Sequence, residues 1–282
     1  MLEQEPSRTA FNAAFYRAAH QVLEEGRFFK DPFAVPILGL DPETFWQDRE
    51  EHNRRRGIRF FVVARSAIAE QALKEAVERR AVRQLVILGA GLDTFSYRNP
   101  FGSQLKVFEV DHPATQAWKR RRLVEAGIAI PSDLVYAPVD FERDNLSDCL
   151  AACGLDQNIR TFFVWLGVVP YLTVDAISLC LSQMAAHPAG AEVVFDYSEP
   201  SDRIDPAARA DRDEREARVA AAGEPILSRF IPSDLHAMLR RYHFDNIDDF
   251  DVPAILVRLQ GHAAPPRSAI PRVGGHLLLA CT

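Results

Sequence analysis

The residues of this chain that are best placed to do chemistry begin with Gly89-Ala90-Gly91-Leu92-Asp93-Thr94, which follows directly on the apolar stretch Gln84 to Leu88. Glycines at the end of a strand let the backbone turn sharply and approach a ligand with no Cβ in the way. Glu109 lies 20 residues after Gly89, and Asp111 lies 20 after Gly91. A carboxylate at that spacing, ending the next strand, can accept both hydroxyls of a ribose. Ala90 and Asp93 in the turn and His112 beside Asp111 belong to the same candidate set. Further on, Asp140-Phe141 closes a third strand. There the acid can accept from an adenine amino group while the ring covers the base, or Asp140 can equally cap a helix starting near Arg143. The set points to an adenosine-containing ligand. A dinucleotide fingerprint would place Gly or Ala at position 94, and Thr94 stands there, so NAD is not singled out.

Arg65 adds a charge in an unusual place. In the segment from about Ile58 to Arg80, the apolar positions Ile58, Phe61, Val62, Ile68, Ala69, Ala72 and Leu73 form a helical stripe, and Arg65 falls within it. An arginine there needs an anion, supplied either by a carboxylate of the protein or by a ligand. A fourth strand ends in Trp165-Leu166-Gly167-Val168-Val169-Pro170-Tyr171-Leu172, where Gly167 and Pro170 indicate a shaped turn and Trp165 joins the cofactor-side candidates. His112, Tyr171, Asp196 and Tyr197 are the groups near the same edge that can assist a proton transfer, and none is singled out as catalytic.

The elements that must hold these residues alternate. Short β-rich runs at Gln84 to Leu88, Gln104 to Val110, Leu134 to Val139, Thr161 to Leu166 and Glu192 to Tyr197 are separated by helices expected at Pro113 to Gly127, Arg143 to Cys153 and Val174 to His187. This order predicts an α/β fold with a doubly wound, mostly parallel sheet. Residues 1–82 read as a helical N-terminal cap that includes the helix of Arg65, with helices over Thr9 to Glu25, around Pro42 to His52, and from Ile58 to Arg80. Residues 83–282 read as the cofactor-binding core. Ser201 to Gly223 is dense in charge without a continuous apolar stripe, which predicts an exposed helical insertion or a polar lid. After a helix at Ser233 to Arg241 come strands at Phe244 to Val252 and His276 to Thr282. The Pro- and Gly-rich connection from Ala263 to Gly275 is too short for a comfortable crossover, so the last strand is expected to run antiparallel.

Composition removes other classes. Apolar residues make up 48% and charged residues 26%, which suits a globular protein. The net charge of −6 lacks the basic excess that a nucleic-acid partner requires. The four cysteines show neither a disulfide framework nor zinc-ligand spacing, and no metal site is expected. The longest apolar run, Phe162 to Leu172, has 11 residues against the ~20 needed to cross a bilayer, and the N-terminus lacks a secretory pattern. A cytoplasmic protein without a membrane partner is expected.

With these residues assembled, the chain resembles the leucine carboxyl methyltransferase family, in its bacterial branch of S-adenosylmethionine-dependent O-methyltransferases. The resemblance rests on Ala64-Arg65-Ser66, Leu88 to Thr94 with Tyr97-Arg98, Phe108-Glu109-Val110-Asp111-His112-Pro113, Val139-Asp140-Phe141 and the Gly167 to Leu172 turn. It implies a class I methyltransferase-like, seven-stranded sheet, S-adenosylmethionine as cofactor and a small-molecule carboxylate or hydroxyl as acceptor. By the same resemblance Arg65 would hold the methionine carboxylate, Gly89 the cofactor backbone, Asp111 the ribose, and Asp140 with Phe141 the adenine. Many relatives carry Glu just before the fourth-strand glycine, where this chain has Leu166. The competing readings are an NAD-dependent oxidoreductase and a non-catalytic cofactor-binding module.

Overall fold

A computed structural model describes residues 7–260 and 272–282. In chain order the helices before the sheet are α1 (Arg8–Leu23), α2 (Ala34–Leu38), α3 (Arg49–Arg54) and α4 (Arg56–Arg79). Then come β1 (Gln84–Leu88), β2 (Lys106–Asp111), α5 (Pro113–Glu125), β3 (Val135–Pro138), α6 (Leu146–Ala152), β4 (Thr161–Trp165), α7 (Val174–Ala185) and β5 (Ala191–Ser198). The chain ends with α8 (Pro206–Ala221), α9 (Pro232–Arg241), β6 (Asn246–Asp251), α10 (Val252–Gln260) and β7 (Gly275–Cys281).

The seven strands form one sheet in the order β3-β2-β1-β4-β5-β7-β6. All neighbours among the first five are parallel, and β7 runs antiparallel to both β5 and β6. This is the expected class I methyltransferase-like topology with its reversed last strand. The short link between β6 and β7 nevertheless holds α10, an element that the strand pattern around Phe250 concealed. Most of the Pro- and Gly-rich stretch from Ala263 to Gly275 lies outside the described residues. The helix expected from Arg143 starts at Leu146, because Asn145 rather than Asp140 accepts from the first turn, at Asp148 N–H.

Period-two alternation assigns the faces of the sheet. Leu85 and Ile87 of β1 pack under α4 with Ile68, Ala72 and Leu73. Val86 and Leu88 face the opposite way, toward a core that includes Ile177 and Leu181 of α7 and Leu235 of α9. A third cluster joins Ala14 and Ala18 of α1, Ile37 of α2 and Phe45 to Leu123 of α5, with Phe11, Phe15 and Phe33 packed against it. The N-terminal helices therefore stack in succession: α4 lies on the sheet, α1 packs against both α4 and α2, and α2 meets α5. Among the described residues, no helix is long and apolar enough to cross a membrane.

Candidate active site

The carboxyl ends of the parallel strands meet at the glycine turn, and its backbone explains the residue types. Gly89 and Gly91 adopt φ of 64° and 46°, a region that L side chains rarely enter. A Cβ on Gly89 would sit 2.2 Å from Val168 Cγ2, and one on Gly91 would sit 2.8 Å from Ala10 Cβ. The β4 turn and the start of α1 thus close on the same loop. Ala90 is buried and its N–H donates to Val110 O at 3.0 Å, tying the turn to β2. No α-helix follows. Residues 95–97 form a single 3-10 turn, and Thr94, fully buried, donates its hydroxyl to Asp31 Oδ2 at 2.7 Å. The close helix packing that a dinucleotide turn requires is therefore absent here.

Asp111 terminates β2 against this loop. Its Oδ2 accepts from Gly91 N–H at 2.6 Å and its Oδ1 from His112 N–H at 2.7 Å. Burial outweighs these bonds and pushes the carboxyl up to about 6. Each oxygen keeps a second lone pair for a hydroxyl donor. His112 caps α5, its Nδ1 accepting from Ala114 N–H at 3.3 Å.

Glu109 does not reach the edge. It is 0% exposed and pairs with Lys119 Nζ at 2.7 Å. Burial raises its pKa despite that lysine. Two positions of strand geometry separate the two acids: Asp111 meets the loop, while Glu109 points back beneath α5. Trp165 is likewise fully buried, in the core beside Phe195 at 6.1 Å between ring centroids, with its indole N–H unpartnered. Both side chains are enclosed by protein. Asp93 spends one oxygen on Phe95 N–H at 2.8 Å. Although burial opposes its ionisation, the guanidinium of Arg17, with Lys119 and Arg98, holds it below the usual carboxylate value.

Asp140 and Phe141 lie half-buried at the end of β3. Asp140 Oδ1 accepts from Glu142 N–H at 3.0 Å, forming a local turn and not the helix cap, while Phe141 packs against the core beneath it.

The other half of the edge is built around Arg65, only 8% exposed on the inner face of α4. Its Nη1 donates to Asp196 Oδ2 at 2.7 Å, and Asp196 Oδ1 accepts from Gly167 N–H at 2.6 Å. Gly167 adopts φ of 73°, and a Cβ there would lie 2.7 Å from Arg65 Nη2. A protein carboxylate therefore supplies the anion that the helical stripe demanded. It does not saturate the guanidinium, because Arg65 Nε is buried without a partner. Asp196 was legible as an acid at the end of an apolar strand, but its pairing across 131 residues was not.

Two contacts beyond the sequence reading complete the surroundings. Glu224, just after α8, accepts from Thr9 N–H at 3.0 Å and Thr9 Oγ1 at 2.6 Å, next to the Ala10 that covers Gly91. Leu227 N–H donates to Pro170 O at 2.8 Å. The insertion is thus bound both to α1 and to the β4 turn. Tyr171, in that turn, is pushed up by burial, with Arg65 and Asp196 close enough to act on it. A cavity of about 140 Å³ near Asn99, Val107 and Leu134 lies at the opposite, amino-terminal end of β2 and β3. Among the described residues, no group of three His, Cys, Asp or Glu is arranged to hold a metal ion.

The donor set fits S-adenosylmethionine: a glycine cradle that any Cβ would fill, a buried carboxylate with free lone pairs, and a guanidinium with an unpartnered N–H. Fold and site define a class I methyltransferase dependent on that cofactor. A family model described as leucine carboxyl methyltransferase matches residues 10–185. A Bacillus subtilis (strain 168) protein, YktD, named among the S-adenosyl-L-methionine-dependent methyltransferases, is 38% identical over 265 residues, covering 85% of this chain and 86% of its own. A Mycobacterium avium relative with the same naming is 30% identical over 228 residues, covering 76% of this chain and 71% of its own. A crystal structure from Thermobifida fusca, titled as a methyltransferase, superposes with a TM-score of 0.58 at 13% identity, covering 99% of this chain and 95% of that one. The chain belongs to the leucine carboxyl methyltransferase family.

Proposed function

We propose that this methyltransferase methylates an oxygen of a small molecule, with a carboxylate as the preferred acceptor. When bound, S-adenosylmethionine supplies a methyl group on a sulfonium centre, which leaves readily. The chain's own task is then to bind, align and exclude water. Arg65 is assigned to a carboxylate of the cofactor through its unpartnered Nε edge, Asp111 to the ribose hydroxyls, and the Gly89 backbone to close approach. Asp140 and Phe141, just past the end of β3, are assigned to the adenine.

The preference for a carboxylate rests on one observation: each candidate base at the edge is either hydrogen-bonded within the protein or disfavoured as an ion by burial. Asp196 divides its oxygens between Arg65 and Gly167, and His112 Nδ1 caps α5. Tyr197 is 1% exposed and donates to Asp249 Oδ2 at 2.6 Å, while burial disfavours ionisation of Tyr171. A phenol near pKa 10 gains from a base, whereas a carboxylate arrives ionised at neutral pH. Part of the aromatic set in the N-terminal helices is taken up by packing. Phe11, Phe15 and Phe33 pack into the core beneath α1, and Phe29 lies under Arg98 at 5.0 Å.

A metabolite-extract screen with methyl-labelled cofactor tests the proposal. The expected outcome is label on a small-molecule oxygen, transferred at a rate that changes little with pH above the acceptor's own pKa. Label recovered only on protein, nucleic acid, nitrogen or carbon contradicts it.

A further inference from the structure

Helix α8 turns a charged face inward. Arg209, Arg212, Arg215 and Glu216 recur at helical spacing on the less exposed side, while Asp211, Asp213 and Glu214 point outward. Arg212 is the deepest of them, 5% exposed. Its Nε donates to Glu216 at 2.8 Å, but Nη1 and Nη2 are both buried without a partner. Glu216 also pairs with Arg229, whose own Nε is buried and unpartnered. The Cβ position of Gly274 lies 3.5 Å from Arg212 Nη1 and 3.4 Å from Glu199 Cβ, which places the guanidinium at the ends of β5 and β7. Glu199 does not bond to it. Its oxygens already accept from Arg272 at 2.7 Å and meet His276 Nε2 at 3.1 Å.

A buried guanidinium with its two terminal nitrogens unmatched is costly for a fold to retain for packing alone. Those nitrogens form the planar edge that matches two oxygens of a carboxylate or phosphate. We propose that Arg212 is the receptor for an oxyanion group of the methyl acceptor, distinct from the oxygen that is methylated. This rests on the methyl-transfer reading above. The separation follows from the strand: Glu199 lies three residues beyond Asp196, on the order of 10 Å along extended chain. The acceptor thus carries its anion about that far from the Arg65 side of the cleft. A carboxylate held by a guanidinium is also a weakened nucleophile, which suits a handle and not the reacting group. Because both nitrogens are buried, the acceptor enters only when α8 lifts from Thr9 and Arg272.

Thermal unfolding in benzoate, inorganic phosphate or chloride at equal ionic strength tests the proposal, on the parent and on Arg212→Gln and Arg212→Met. The parent's midpoint is expected to rise about 2 to 4 °C more in benzoate or phosphate than in chloride, and neither variant should show the excess. Which anion acts distinguishes carboxylate-bearing from phosphate-bearing acceptors. A parent without an excess shift overturns the proposal whether or not the variants fold, as does an equal excess in a folded variant. Calorimetry with S-adenosylhomocysteine is run beside it. Binding within twofold in parent and variants keeps Arg212 outside the cofactor site. A parent that binds none overturns the methyl-transfer reading, and with it the assignment of the anion to an acceptor, even where the anion shift persists.

Discussion

At the residue scale, two carboxylates two positions apart on β2 have opposite duties. Asp111, tied to Gly91 and His112, must be ionised to accept ribose hydroxyls, and burial has raised it to about 6. Cofactor affinity is therefore expected to be constant above pH 6 and to fall about tenfold per unit below it, as calorimetry across pH 4.5 to 8 will show. The same shift makes ionised Asp111 a folding cost of roughly 3 kcal/mol above pH 6, which is relieved as pH falls from 6 toward 4. Asp111→Ala should weaken cofactor binding by about 1.5 to 3 kcal/mol. Glu109, in contrast, is paired with Lys119. Lys119→Met leaves its charge buried and unpaired, for an expected loss of about 3 to 5 kcal/mol in denaturant unfolding, and adding Glu109→Gln should recover most of it. Arg65→Lys keeps the charge but loses the planar guanidinium that donates to Asp196 through Nη1 while leaving Nε unpartnered, so cofactor binding should weaken by about tenfold or more. An unchanged isotherm would make Arg65 purely structural. The sequence spacing admitted both acids to the site because position alone does not tell which one meets the loop.

At the scale of elements, the legible parts were those whose pattern is local. β1 matches its expected bounds at Gln84–Leu88, and α4 carries Arg65 on its buried stripe as its periodicity required. What stayed hidden depends on distant partners: α10 was masked by a Pro-containing apolar run, and Trp165 faces the core because the β4 register turns it toward Phe195. The insertion shows both behaviours. Its polarity correctly marked an exposed helix, but not the inward Arg212 or the clasp of Glu224 on Thr9. Clasps at its two ends hold α8, Asp205 to the Arg272 backbone at 2.7 Å and Glu224 to Thr9, and Glu216 on its inner face pairs with Arg229. We expect it to open locally at low cost. Hydrogen exchange across residues 201–223 should slow when cofactor and acceptor are both bound. Equal rates with and without ligands would make α8 a passive surface helix.

At the scale of the whole molecule, the sheet brings residues from both ends of the chain onto one edge. Thr9 meets Glu224, Arg65 meets Asp196, and β7 enters between β5 and β6 beside His276. The order of elements and the reversed last strand were readable from alternation and connection length, whereas the approach of α1 to the glycine turn, with Glu224 bound to Thr9 beside it, is a tertiary fact that no local pattern encodes. That closure relates site to fold: Gly89 and Gly91, the glycines assigned to the cofactor, are each closed on by a residue from another element, Val168 and Ala10. The most direct test is a pair of calorimetric titrations with S-adenosylhomocysteine and NADH, repeated on Asp111→Ala. The account predicts saturable one-to-one binding of S-adenosylhomocysteine that Asp111→Ala weakens about 10- to 150-fold, and no heat from NADH. Binding of NADH at the glycine turn, or S-adenosylhomocysteine affinity untouched in a folded Asp111→Ala protein, would contradict it.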